Sequence, residues 1–369
     1  MTDGLANSSS RNWGERFKLR LSAIIWFVLA AGFLLALPVL IDVSWLVVLG
    51  LSVLALILAL PGAWLVRKLF AGQRIQSFFS SVAKAFFALL FTLSIILAAP
   101  IYYFALYTDL EPMTVPQATL SNGSKTVVFQ GMAHVGSESF YKGVVYDLEK
   151  ALSEGYVLYY EGVQSSPDGE AWFSKHLAGG GDLNTNYQLL SDICGLNFQL
   201  NYFGLLQSDM AEHPDRHVQA DVSTADMMHE YDRLMQADPV FAASQTADTT
   251  DGAASASMTD SVAGIVSWLQ QASPDLRRLA GTVCRGYLSM AFSKKSAPEE
   301  MDKVVVDFRN RSLADRIERD SHQKIYITYG ADHLHGLLAM LQADDPAWTI
   351  QSLKWLRPID APEELYGRL

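Results

Sequence analysis

Three long apolar stretches in the N-terminal third of the chain are the feature that most constrains its fold. They cover about residues 21–41, 45–66 and 85–107. Each approaches or exceeds the ~20 residues that cross a ~30 Å hydrocarbon layer as a helix. A cleaved signal peptide does not fit, because the first stretch is long and a second follows almost at once. The sequence therefore predicts three permanent transmembrane helices within residues 21–107.

The distribution of charge predicts the orientation of these helices. Residues 1–107 hold 8 Lys and Arg against 3 Asp and Glu, whereas the remainder holds 20 against 36. Basic residues cluster at residues 1–20 and between the second and third stretches, so both segments should be cytoplasmic. We expect the acidic C-terminal part to lie outside the cytoplasm, with membrane lipid as a partner of the helices. Nucleic acid is not an expected partner, because binding it needs a basic surface.

From Lys125 to the last residue, short apolar runs alternate with amphipathic helices, which is typical of a layered α/β domain. The runs TVVFQ (126–130), VLYY (157–160) and KIYITY (324–329) are predicted to be buried strands. A helical pattern from Phe140 to Leu152 joins the first two, and a crossover of this length favours parallel strands. The expected fold is an α/β soluble domain, a partly parallel sheet flanked by helices, behind a bundle of three transmembrane helices.

Three other segments carry weaker patterns. Residues 108–124 are expected to be a linker, and residues 187–206 are predicted to be helical. Residues 237–263 are rich in Ala, Ser, Thr and Asp and have little to bury, so a flexible insert is expected there. The only two cysteines, Cys194 and Cys284, exclude a disulfide scaffold and a four-cysteine zinc site. The sequence does not decide whether these two cysteines form one disulfide or stay as two free thiols.

Two strand ends carry the same short motif, with Gly131 three residues before His134 and Gly330 three residues before His333. Each glycine allows the chain to turn sharply, and each histidine is expected at the entry to a helix. There the positive end of the helix dipole favours a neutral imidazole, the form that binds a metal or accepts a proton. Asp332 is expected to cap the second of these helices.

The strand VLYY ends in Glu161, a carboxylate that is costly to bury without a partner. Ligands of open α/β sheets bind outside the carboxyl ends of the strands, so His134, Glu161 and His333 should face one crevice. Two histidines and a carboxylate are a sufficient set of ligands for a catalytic divalent metal with an open position for water. The alternative is that each histidine is structural, since a single GxxH is a weak pattern. His335 is expected to have a supporting role.

Four segments together carry a family resemblance: GMAHVGSESFYKGVVYDLEKAL, VLYYEGV, DFRNRSLADRI and YITYGADHLHGLLAML. Their order and spacing over residues 125–357 resemble the TraB/TIKI family, which is grouped with the erythromycin-esterase-like and ChaN-like proteins. The resemblance implies an α/β domain and a metal-dependent peptidase that uses manganese or cobalt rather than zinc. It makes His134, Glu161 and His333 the candidate metal ligands or acid and base groups.

Three further positions resemble features of the family. Arg309 and Asn310 in FRNRSLADRI would face the site, where the guanidinium could hold a substrate carboxylate or a developing oxyanion. Asp221 in QADVSTADM would be an additional acid or ligand. The alternatives are an ion pair on a helix surface for Arg309 and a turn or helix cap for Asp221.

The function expected from these residues is a membrane-anchored metallohydrolase, most simply a peptidase acting on a peptide or protein outside the cytoplasm. A metal would lower the pKa of bound water, and a carboxylate would take its proton. Because Glu161 cannot easily be both ligand and base, Asp221 would be the base if Glu161 binds the metal. The resemblance also leaves open a pheromone-like peptide-binding protein of the TraB type, and a haem- or iron-binding protein of the ChaN type. The expected location is a bacterial inner or plasma membrane, with a periplasmic domain; the oligomeric state stays open.

Overall fold

The computed structural model describes residues 13–40, 44–69, 78–177, 183–248, 267–269, 271–293 and 298–360. The chain divides into two compact units. One is Met1–Tyr103 with Glu363–Leu369, and the other is Phe104–Pro362.

The N-terminal part is helical, with α1 at Trp13–Leu40, α2 at Trp45–Leu69 and α3 at Phe78–Leu110. Two segments, Trp45–Leu65 and Ser81–Leu110, are long and apolar enough to cross a membrane. In α1, the apolar segment found among the described residues is shorter, Phe27–Ala36. Helices lie at all three expected positions, but among the described residues two of them, and not three, meet the length and hydropathy that a span requires.

The strands of the second unit are β1 Val115–Ser121, β2 Thr126–Met132, β3 Val135–Gly136, β4 Val157–Tyr160, β5 Asn197–Phe198, β6 His217–Gln219, β7 Lys324–Gly330 and β8 Thr349–Leu356. Six of them form a mixed sheet in the order β6-β4-β7-β2-β1-β8, and β3 and β5 form a separate two-stranded sheet. Neighbouring strands β6, β4, β7 and β2 are parallel, whereas β1 is antiparallel to both β2 and β8. The expected α/β domain with a partly parallel sheet is confirmed.

Strand β7 lies at the centre of the sheet, between β2 and β4. Its residues Ile325 to Tyr329 are all buried, as expected for a parallel strand that is covered on both faces. Strands β2 and β4, which the crossover helix connects, are therefore parallel to each other but not adjacent. The main core cluster includes Phe129, Tyr159 and Ile327, each at most 2% exposed.

Helices cover the sheet and its loops. The crossover helix after β2 begins at Ser137, whose hydroxyl accepts a hydrogen bond from the backbone N–H of Phe140. After this helix the chain reverses direction at Gly155, which has a φ of 81°. The helices are α4 Glu138–Ser153, α5 Pro167–His176, α6 Leu183–Cys194, α7 Leu200–Phe203, α8 Gln207–Glu212, α9 Thr224–Ala237, α10 Pro239–Asp248, α11 Pro274–Ser293, α12 Arg309–Arg319 and α13 His333–Asp344.

Of the two predictions about the less patterned segments, one was wrong and one is confirmed in part. The expected linker at residues 108–124 contains β1, whose apolar residues are buried because the strand fills the sheet between β2 and β8. The helical prediction for residues 187–206 is confirmed in part: residues 187–194 lie in α6, and residues 200–206 form α7 and a 3₁₀ turn. Between them, Gly195 with a φ of 60° ends α6 and the chain enters β5.

The expected flexible insert at residues 237–263 begins with a helix, α10. Asp238 accepts hydrogen bonds from the backbone N–H groups of Val240 and Phe241, which caps this helix. The side chain of Phe241 is fully buried and anchors the helix in an apolar cluster with Met227. Residues 249–263 lie outside the described residues.

Candidate active site

Four neighbouring parallel strands end at the same edge of the sheet. Tyr160 pairs with Gln219 of β6 and Thr328 of β7, and Gly330 of β7 pairs with Met132 of β2. The register therefore places the residues that follow these strand ends beside one another. These residues are Asp221 after β6, Glu161 after β4, His333 after β7 and His134 after β2.

Arg309 lies at the centre of this edge and is the first residue of α12. Its Nη2 donates to Glu161 Oε1 and to Asp221 Oδ2, each at 2.6 Å, and its Nε donates to Asp221 Oδ1 at 3.0 Å. The Arg309 side chain is only 7% exposed, so the predicted alternative of a surface ion pair was wrong. Burial tends to lower the pKa of Arg309, but the two carboxylates outweigh it and raise the pKa above its ordinary value.

Asp221 is the fully buried member of this network, with a side-chain exposure of 0%. Besides Arg309, it accepts hydrogen bonds from the backbone N–H groups of Gly162 at 3.1 Å and Val222 at 2.9 Å. Burial tends to raise the pKa of Asp221, but Arg309 outweighs it and lowers the pKa below its ordinary value. A carboxylate with a lowered pKa, several hydrogen-bond donors and no access to solvent anchors Arg309 and is badly placed to act as a base.

Glu161 is the more accessible carboxylate, with a side-chain exposure of 21%. Its Oε1 accepts from Arg309, and its Oε2 accepts from the backbone N–H of Gly330 at 2.7 Å. Its own backbone N–H donates to Thr328 O at 2.9 Å, which fixes the residue to the end of β7. The carboxylate is thus oriented from two sides and still reaches solvent.

His333 is the first residue of α13 and is 4% exposed. Its Nδ1 donates to Asn310 Oδ1 at 2.9 Å, which leaves a lone pair on Nε2, and Arg309 Nη1 lies 3.4 Å from this Nε2. The pKa of His333 is lowered to about 4, because burial and then the charge of Arg309 disfavour the protonated ring. The imidazole is neutral, as expected. The expectation for Asp332 was wrong, because its side chain makes no capping hydrogen bond.

A π-helix at Lys303–Phe308 precedes α12 and places Arg309 and Asn310 side by side. Such wide turns are frequent at functional sites, because they shift the residues that follow out of the regular helical register. Asn310 is fully buried, and its Nδ2 has no hydrogen-bond partner within the part of the chain that the structure describes. Within the FRNR motif, Arg309 therefore contacts the carboxylates Glu161 and Asp221, and the adjacent Asn310 contacts His333.

His134 lies between β2 and β3, and the next helix begins only at Glu138, so its expected place at a helix entry was wrong. Its ring stacks on Tyr187 with 4.2 Å between centroids, and Gln199 Nε2 donates to its Nδ1 at 2.9 Å. Burial lowers the pKa of His134; the charge of Glu161 opposes this and that of Arg309 adds to it. Half-buried His134 is therefore a neutral imidazole within electrostatic reach of Glu161.

The motif glycines are required by close packing rather than by unusual backbone angles. A Cβ on Gly131 would lie 2.8 Å from Pro116 O, and a Cβ on Gly330 would lie 3.3 Å from His333 Cδ2. Neither glycine is among the residues with positive φ. His335 is exposed on α13, so the structure does not place it at the site in the expected supporting role.

Two residues that contact His134, Tyr187 and Gln199, were not singled out by sequence reasoning. Both lie more than fifty positions along the chain from His134, in the segment predicted to be helical. No local pattern marks them, because an isolated tyrosine and an isolated glutamine are common on helices. Only the end of α6 at Gly195 and the short pairing of β5 with β3 bring them to the site.

These side chains, as they are placed, do not fit the expected manganese or cobalt ion. Both oxygens of Glu161 already accept hydrogen bonds, and the positive guanidinium of Arg309 contacts both Glu161 and His333. A divalent cation among the same groups would be strongly repelled by this charge. No group of three His, Cys, Asp or Glu within the described ranges is arranged to hold a metal.

Comparison with protein-family models, with curated proteins and with solved structures finds no match to this chain. The resemblance to the TraB/TIKI family therefore stays a prediction that rests on its four motifs.

Proposed function

We propose that this chain is a membrane-anchored hydrolase that cleaves a peptide bond outside the cytoplasm. One observation carries the proposal. A partly exposed carboxylate, Glu161, and a half-buried neutral imidazole, His134, follow the carboxyl ends of β4 and β2, on either side of β7, next to the buried ion-pair network of Arg309 and Asp221. Hydrolysis of an amide needs a group that accepts a proton from water, here Glu161, and a neutral group that can donate a hydrogen bond to the substrate, here His134.

In this proposal Glu161 takes a proton from the attacking water, and the new hydroxide forms a bond to the carbonyl carbon of the substrate. The protonated Glu161 then gives this proton to the leaving nitrogen as the carbon–nitrogen bond breaks, which restores its carboxylate, while His134 stays neutral and donates a hydrogen bond to the carbonyl oxygen. Arg309 and the N–H of Gly330 keep the Glu161 carboxylate in one orientation. Asp221 and His333 in turn hold Arg309, so they are positioning residues.

Membrane attachment through three spans, with the N-terminus in the cytoplasm, is part of the proposal. The basic clusters before the first and third apolar stretches support this orientation. A disulfide between Cys194 and Cys284, whose Cα atoms lie 5.0 Å apart, supports an oxidising compartment for the second unit.

Hydrolysis is tested with the purified full chain in lipid nanodiscs and a pool of synthetic peptides, with products detected by mass spectrometry. Glu161→Gln should lower cleavage by about 10²-fold or more, the usual loss when a general base is removed. Glu138→Gln is the matched control, because that carboxylate is 55% exposed and pairs with Lys142 at the surface. Equal cleavage by both variants would refute the assignment of the base. Peptide binding without cleavage by the wild type would favour the peptide-binding alternative.

Orientation has its own test. Ser124 lies in the exposed turn between β1 and β2, so Ser124→Cys gives a labelling site on the second unit. A maleimide that cannot cross membranes should label this variant in intact cells. Labelling that requires cell lysis would place the second unit in the cytoplasm.

A further inference from the structure

Gln199 and His134 are joined twice. The backbone N–H of Gln199 donates to His134 O at 3.0 Å, and its side-chain Nε2 lies 2.9 Å from His134 Nδ1. We propose that Gln199 is a positioning residue that fixes the tautomer of His134, so that the ring carries its proton on Nε2 and presents an N–H to the site. This inference rests on the proposed function in one respect, namely that the N–H serves the substrate.

The tautomer of His134 follows from what each nitrogen atom can donate or accept. A side-chain amide nitrogen only donates, so the Nδ1 atom facing it must offer a lone pair. A neutral imidazole has one lone pair and one N–H, so a lone pair on Nδ1 places the proton on Nε2. The stacked ring of Tyr187 restricts rotation of the imidazole about its long axis.

Neighbouring backbone contacts keep Gln199 in place. Phe198 pairs with Val135 in the two-stranded sheet, so the residues flanking Gln199 and His134 are held to each other. The Cys194–Cys284 disulfide fastens the end of α6, just before this sheet, to α11. The amide therefore approaches the ring along a direction that the fold determines.

The two histidines of the repeated motif then have opposite tautomers. His333 donates from Nδ1 to Asn310 Oδ1 and keeps its lone pair on Nε2, which faces the buried guanidinium of Arg309. His134 accepts at Nδ1 from Gln199 and keeps its proton on Nε2, at the accessible rim. This arrangement makes His134 the hydrogen-bond donor toward a substrate carbonyl or leaving nitrogen, while Glu161 is the acceptor.

The test is solid-state NMR of the full chain in lipid bilayers, with isotope-labelled histidine. The signals of His134 are identified by their loss in His134→Asn. The expected result for the wild type is a non-protonated Nδ1 and a protonated Nε2. A protonated Nδ1 in the wild type would overturn the inference without the need for any variant at Gln199.

Gln199→Glu is the informative variant, because a carboxylate of the same shape accepts and does not donate. The proton of His134 should move to Nδ1. Gln188→Glu, which adds the same charge at an exposed position of α6, should leave the tautomer unchanged. An unchanged tautomer in a folded Gln199→Glu protein would overturn the inference, since a merely structural glutamine tolerates an isosteric replacement.

The NMR result does not depend on activity. If the wild type shows the expected tautomer and no peptide is cleaved, the proposed function fails and the role of Gln199 stands. If Glu161→Gln abolishes cleavage and the tautomer is the opposite one, the inference fails and the proposed function stands.

Discussion

Replacing Arg309 by methionine removes the only cation that neutralises Asp221 within the described network. The Asp221 side chain is 0% exposed and loses two hydrogen bonds, of 2.6 and 3.0 Å. Breaking a buried ion pair in this way costs about 3–5 kcal/mol, because one charge remains buried without compensation. Gly162 and Val222 still donate to the carboxylate, so we expect the lower end, about 3 kcal/mol. At about 2–4 °C per kcal/mol, Tm should fall by roughly 6–12 °C.

The matched control is Arg311→Met, on the same helix. Arg311 is 50% exposed, and its partner Glu230 also binds Arg233 at 2.7 Å and so keeps a counter-charge. Because Arg311 is half exposed and the buried Glu230 keeps Arg233, losing this pair should cost about 0–1 kcal/mol and change Tm by less than about 4 °C.

The assay is urea unfolding of the full chain in detergent micelles, followed by tryptophan fluorescence. Adding Asp221→Asn to Arg309→Met should recover part of the lost unfolding free energy, because it removes the stranded charge. The buried ion pair of Arg309 and Asp221 is not stabilising in this way if Arg309→Met lowers the free energy of unfolding no more than Arg311→Met does, or if the added Asp221→Asn lowers it further.

Three other predictions concern stability. The pKa of His333 falls from 6.5 to about 4 on folding, so the folded state should lose about 3 kcal/mol as pH falls from about 6.5 to about 4; His333→Gln should flatten this slope in unfolding experiments. Gly336→Ala should lower the free energy of unfolding by about 1–3 kcal/mol, because the new methyl group overlaps with the buried amide of Asn310. Its control is Gly143→Ala, which lies in open space on α4 and should raise the free energy of unfolding by up to about 1 kcal/mol in the same assay. Cys284→Ser should cost about 2–5 kcal/mol by opening a disulfide-closed loop, and an unchanged unfolding midpoint under reducing conditions would contradict this.

Local patterns in the sequence were enough to find the strands that build the site. The runs around residues 126–130, 157–160 and 324–329 are short, apolar and followed by glycine or a charged residue, and each forms a strand within one or two residues of its predicted ends. Because parallel strands share one carboxyl edge, the same runs also indicated that the residues following them would lie together.

Non-local pairing was beyond these patterns. Nothing in the chain between Gly131 and Glu161 indicates that β7, far along the sequence, would be inserted between the two strands. The role of Arg309 depends on three strand ends meeting one helix, so a motif could place the arginine at the site but could not show that it would occupy the centre. The same holds for Gln199, whose contact with His134 depends on a two-residue strand pairing.

The most direct test of the account is peptide cleavage by the wild type and by Glu161→Gln after exhaustive removal of divalent metals with a chelator. We predict that the wild type still cleaves and that Glu161→Gln does not, because Glu161 is held by Arg309 and Gly330 rather than by a metal. Wild-type cleavage that disappears on chelation and returns with manganese or cobalt would contradict the account. It would assign Glu161 to the metal site that the family resemblance implies.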